Sequence, residues 1–153
     1  MRWSRILIAA ASLAWIAGAS GAEVHDIKTV YILPMSGGLD EYLAVRLTTG
    51  VVLQVVTDPQ KADAILTDHL GESFKKSFDD LYGAAPPASG DSSATFARVG
   101  GGQRSKGTFF LVERKTRDVV WSDDERPKGN SADELRRIAN RIAEHLNKAI
   151  KGK

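Results

Sequence analysis

Apolar and polar positions fall into distinct periods along the chain, and these periods predict its elements. Residues 27–33 (IKTVYIL) are β-branched and aromatic and stop at Pro34, as a first strand does. After the loop Met35-Ser36-Gly37-Gly38, Leu39, Tyr42, Leu43 and Leu47 recur at helical spacing, with Asp40 and Glu41 in the first turn and Gly50 placed as the C-cap. Residues 51–56 (VVLQVV) predict a second strand, so strand, helix and strand form a parallel unit. A short turn from Asp58-Pro59 to Ala62 leads to a third strand over 64–70. Phe74, Phe78, Leu81 and Tyr82 then predict a short amphipathic helix over 72–82.

Residues 83–106 break the pattern with Pro86-Pro87, a Ser/Gly/Asp run and Gly100-Gly101-Gly102, and read as a flexible insertion. Residues 108–114 and 119–122 form two strands about the polar turn Lys115-Thr116-Arg117-Asp118. Because Phe109, Phe110, Leu111 and Val112 are consecutive, the first of them presents apolar side chains to both faces of a sheet. A charged turn over 123–130 precedes the last helix, which starts at a capping box, Ser131 with Glu134. Leu135, Ile138, Ala139, Ile142, Leu146, Ala149 and Ile150 form its apolar stripe. The expected fold is α/β (α+β): a five-stranded mixed sheet in the order βαββα-loop-ββα, with two main helices packed on one face. The short helix covers the opposite face only in part, which leaves an apolar face or a sheet edge for a partner.

The first residues follow a different logic. Arg2 and Arg5 precede the apolar run 6–19, and Ser20-Gly21-Ala22 supplies small residues before Glu23. This is the pattern of a signal peptide, residues 1–22, cut between Ala22 and Glu23. The run is shorter than the roughly 20 residues of a spanning helix, so no membrane anchor is expected after cleavage. A single domain over 23–153 with a periplasmic or secreted location follows. Removing Arg2 and Arg5 lowers the Lys and Arg total from 21 to 19, equal to the 19 Asp and Glu. A neutral domain has no basic footprint for nucleic acid. The absence of cysteine excludes disulfides, thiolate chemistry and a lipid-modified cysteine.

Candidate chemistry is sparse. Ser36-Gly37-Gly38-Leu39-Asp40 sits between a strand and a helix and resembles the SGGxD core of the ATP-pyrophosphatase loop, in which glycines let backbone N–H groups meet a pyrophosphate. The resemblance implies a small nucleotide- or anion-binding enzyme using Ser36, Gly37, Gly38 and Asp40. Against this, Glu41 adds negative charge beside a phosphate, and an isolated short string of this kind reads first as a glycine-rich turn between strand and helix. The Gly100–Gly107 stretch precedes a strand rather than a helix and reads as a linker. His25, His69 and His145 have no metal-ligand spacing, and Asp79-Asp80 and Asp123-Asp124-Glu125 read as solvated carboxylate runs. No cofactor or metal is therefore expected. Arg136, Arg137 and Arg141 are interrupted by Glu134 and Glu144 and read as a solvated helix face. Phe110, Val112 and Trp121 are the side chains expected at an interface, Trp121 having a core reading against the last helix as well.

The opening strand 28–34, the phrase Asp58-Pro59 with Lys61-Ala62-Asp63-Ala64-Ile65-Leu66-Thr67, the Phe-Leu-Val strand and Val119-Val120-Trp121-Ser122 before a final helix together resemble small envelope α/β domains. These are the TolB amino-terminal, curli-secretion lipoprotein and penicillin-binding-protein activator types. The resemblance spans most of 27–150 and implies a non-enzymatic binding or adaptor domain whose partner is an envelope protein or a second copy of the chain. The chain departs from it by lacking the lipoprotein cysteine and by its insertion at 83–106.

Overall fold

The computed structural model describes residues 23–50, 52–83 and 107–152. The expected signal peptide at 1–22 and all of the insertion except Gly83 lie outside them. Five strands form one mixed sheet: β1 (Thr29–Ile32), β2 (Gln54–Val55), β3 (Ala64–Thr67), β4 (Thr108–Glu113) and β5 (Val119–Asp124). Their order across the sheet is β2-β1-β3-β4-β5. β1 runs parallel to both β2 and β3, β4 is antiparallel to β3, and β5 returns along β4 as a hairpin. Three helices, α1 (Leu39–Thr49), α2 (Glu72–Tyr82) and α3 (Ala132–Lys151), complete the expected order.

The sheet separates two cores, as consecutive apolar residues on its strands require. On one face Val30, Leu66, Phe109 and Leu111 pack under Leu43 and Leu47 of α1 and Ile138, Ile142 and Leu146 of α3. On the other, Ile65, Phe110 and Val112 meet Phe74 and Phe78 of α2. The central strand β3 is buried along its whole length.

The short helix covers more than expected, and this corrects the interface reading. Phe110 is 7% exposed and Val112 is 0% exposed, because both lie beneath α2. Trp121 is half-buried against the larger core. Among the described residues Val45 is the one exposed large apolar side chain, so neither sheet face is left bare.

The strand ends also differ from the periodic reading, each for a local reason. β3 stops at Thr67 because the Thr67 hydroxyl donates to the His69 carbonyl (3.1 Å) and accepts from the His69 N–H (3.3 Å), turning the chain. β5 continues to Asp124 because pairing with Thr108 and Phe109 draws Asp123 and Asp124 into the ladder. In the Asp58-to-Asp63 phrase, the Asp58 carboxylate accepts from Gln60 N–H (3.0 Å) to start a one-turn 3-10 helix, Pro59–Lys61. Asp63 accepts from the N–H groups of Lys28 (3.1 Å) and Thr29 (2.9 Å), which registers β3 against β1. Asp58 thus shapes the turn between β2 and β3, and Asp63 ties β3 to β1. Among the described residues no helix is long and apolar enough to cross a membrane.

Candidate functional site

The parallel strands β1 and β3 lie side by side, while the chain leaving β1 crosses by α1 to β2 on the other side. Their carboxyl ends therefore form a switch point, where open α/β sheets bind ligands. Ser36-Gly37-Gly38 stands there. Gly37 (φ 72°) and Gly38 (φ 77°) both adopt left-handed backbone, which the absence of a Cβ allows, and they deliver the chain into α1.

Two donors of this loop are already engaged by acids, and the Gly38 N–H donates to the Met35 carbonyl (3.4 Å). Ser36 N–H donates to Oδ2 of Asp68 (3.2 Å), and Met35 N–H donates to Oδ1 of Asp40 (3.1 Å). Asp68 is buried, and its Oδ1 also accepts from His69 Nδ1 (2.7 Å). Burial pushes the Asp68 carboxyl up, but the bonds from His69 and Ser36 outweigh it and hold the group below the usual range. A phosphate entering this loop meets two carboxylates where an anion site needs open N–H groups.

A second cluster lies where β5 leaves the sheet beneath α3. Asp123 Oδ2 accepts from His145 Nδ1 (2.7 Å), and Glu125 Oε1 lies 3.9 Å from the same nitrogen and 3.0 Å from Arg141 Nε. Asp123 and Glu125 share a face because they are two apart on an extended chain. His145 and Arg141 share a face because they are four apart on a helix. The solvated reading of this run fails at Glu125, which is 6% exposed. The spacing of histidines along the sequence held no sign of this cluster; the D-x-E pattern at a strand end was its one legible half.

The other expected features resolve into ion pairs and edges. Arg136 pairs with Asp133 (3.1 Å) and Arg137 with Glu134 (2.5 Å), so the arginines of α3 are matched one to one with acids. A groove of about 240 Å³ between α1 and α3 is lined by Arg46, Thr49, Asn140, Glu144 and Asn147, and Arg46 Nε donates to Asn140 across it. At the outer strand, Glu125 N–H donates to the Gly107 carbonyl (2.6 Å). By antiparallel alternation Asp123 and Trp121 also turn their backbone groups to β4, while Ser122 and Asp124 turn theirs outward. The Asp124 N–H is met by Asp123 Oδ1 (3.0 Å). Comparison with known proteins returned no matching family model, no matching curated protein and no matching solved structure, so any functional reading rests on these residues.

Proposed function

We propose that this chain is an exported, non-enzymatic binding domain that acts with another component of the cell envelope and engages it along the outer edge of β5. The observation that supports this is the strand itself. β5 has six residues, ends the sheet, and among the described residues is paired only with β4. The Ser122 N–H and the carbonyls of Ser122 and Asp124 face outward, where an extended partner segment can add a strand. The acid exposed on this edge is Asp124, with Arg126 Nε 3.7 Å away, while Asp123 turns to His145 beneath α3. Two copies of this edge repel one another, which disfavours self-pairing and favours a partner strand with Lys or Arg.

The competing reading is a nucleotide or anion site at Ser36, Gly37, Gly38 and Asp40. Its support is the pair of left-handed glycines at the switch point. Its difficulty is that Asp40 and Asp68 already hold the Met35 and Ser36 donors.

Site-specific photocrosslinking in producing cells tests the proposal, with probes at Ser122 and, as a control, at exposed Val45. Crosslinks from position 122 should converge on one basic, extended segment of an envelope protein, on a chain whose intact mass begins at Glu23. Ser122→Pro removes the outward donor without touching the β4 ladder, and should abolish capture while leaving the circular dichroism unchanged. Equal capture from 122 and 45, or capture that survives the proline, sinks the edge reading. An uncleaved chain overturns export.

A further inference from the structure

We propose that Asp123, Glu125 and His145 form a site for one divalent transition-metal cation of the Zn²⁺ class. The three side chains come from the end of β5 and from α3, and each offers a ligand atom within 4.8 Å of the other two. Zn²⁺ binds nitrogen and carboxylate oxygen at about 2.0–2.2 Å, which sets ligands about 3.4 Å apart around a tetrahedral centre. The separations of His145 Nδ1 from Asp123 Oδ2 (2.7 Å) and from Glu125 Oε1 (3.9 Å) bracket that value. Small side-chain rotations close the difference.

The carboxylates are unequal in a way that favours a cation. Asp68, the other buried carboxylate among the described residues, accepts bonds from His69 and from a backbone N–H. Glu125 is as deeply buried, yet among the described residues its only ionic partners within 4 Å are Arg141 Nε and His145 Nδ1. With the imidazole neutral, two carboxylates face one guanidinium, and a bound cation would supply the second positive charge. Arg141 Nε meets that same Oε1 of Glu125 at 3.0 Å and fixes the carboxylate plane, while a carboxylate oxygen keeps a further lone pair to offer a metal. Asp123 is fixed too, since its Oδ1 accepts the Asp124 N–H.

The ligand set selects the ion. One imidazole with two carboxylates suits Zn²⁺ or its first-row neighbours, whereas Ca²⁺ takes six to eight oxygens. The half-exposed His145 side leaves the remaining position to water. For Nδ1 to offer its lone pair to the metal, the neutral imidazole carries its proton on Nε2.

Titration of the untagged full chain with ZnCl₂ in a calorimeter tests the site, with Co²⁺ absorption as the geometric readout. One Zn²⁺ should bind per chain, and Co²⁺ should give the intense visible bands of a four-coordinate centre. Asp123→Asn keeps the side-chain shape and His145→Gln keeps a helix former, and each should weaken Zn²⁺ by at least about tenfold. His69→Gln should bind as the unaltered chain does. No saturable Zn²⁺ binding overturns the proposal, as does affinity retained in both site variants or lost in His69→Gln. Ca²⁺ binding in preference to Zn²⁺ also overturns it.

Discussion

Ser36 N–H donates to the Asp68 carboxylate across 3.2 Å and so ties the turn after β1 to the chain leaving β3. Asp68 is buried at that point, which raises its carboxyl, and the bonds from His69 and Ser36 lead the effects that hold it charged. Removing the carboxylate with Asp68→Ala leaves the Ser36 donor and the His69 ring without it, and should cost about 1–3 kcal/mol at neutral pH by chemical denaturation.

The same bond sets an acid limit. Because the folded pKa of Asp68 is depressed, its stabilisation is full above the unfolded value, about 3.9, and is lost as pH falls through the lower folded value. Asp63 is also depressed: burial raises it, but bonds from Thr29 and the Lys28 N–H prevail. It is more exposed, so its share is more screened. Unfolding free energies measured from pH 6 down to pH 2 should fall mainly below pH 4, and Asp68→Asn should flatten that fall. An unchanged acid profile in Asp68→Asn would remove Asp68 as its source.

Asp40 stands in the first turn of α1 and accepts the Met35 N–H (3.1 Å). Asp40→Ala loses that bond and a favourable charge at the helix amino terminus, together about 1–2 kcal/mol. The binding-domain proposal expects this stability loss and nothing else. Equilibrium dialysis with ATP should show no binding by the unaltered chain or by the variant. Saturable ATP binding that Asp40→Ala abolishes would instead favour the loop as a nucleotide site.

The elements were legible wherever a period ran long enough to set a face. The stripe from Leu135 to Ile150 predicts α3, and Phe74, Phe78, Leu81 and Tyr82 predict α2 with its observed bounds, Glu72–Tyr82. Four consecutive apolar residues in β4 announced two apolar faces, yet the extent to which one short helix buries Phe110 and Val112 was not legible. That depends on two phenylalanines and on arginines of the β4–β5 turn, residues distant in sequence. The joining of His145 to Asp123 and Glu125 was illegible for the same reason, since 20 residues separate Glu125 from His145 and only the packing of α3 on the sheet closes the distance. The edge of β5 was misplaced by two residues because pairing with β4, not its own composition, carries it through two aspartates.

Gly107 enters β4 with φ +110°, and a Cβ there would stand 2.8 Å from the Arg126 backbone. Its carbonyl also receives the Glu125 N–H, so the same point anchors Glu125. Gly107→Ala combines a strained backbone with a backbone clash and should destabilise the fold by about 1–3 kcal/mol. A thermal midpoint equal to that of the unaltered chain would show that the strand start yields without cost.

Arg117 separates two opposing effects at one residue. Among the described residues it is the one non-glycine with positive φ, 66°, at the β4–β5 turn. Its guanidinium lies 4.3 Å from the Phe78 ring centroid and 3.2 Å from the Asp79 carboxylate, pinning the turn to α2. Arg117→Ala loses both contacts while keeping the left-handed backbone, and should cost about 1–2 kcal/mol. Arg117→Gly loses the same contacts but relieves a conformation that disfavours any L side chain by about 1 kcal/mol. Glycine should therefore be the milder replacement in guanidinium unfolding, although it is the smaller and more flexible residue. If alanine proves the milder of the two, the left-handed turn is not what the chain retains at this position.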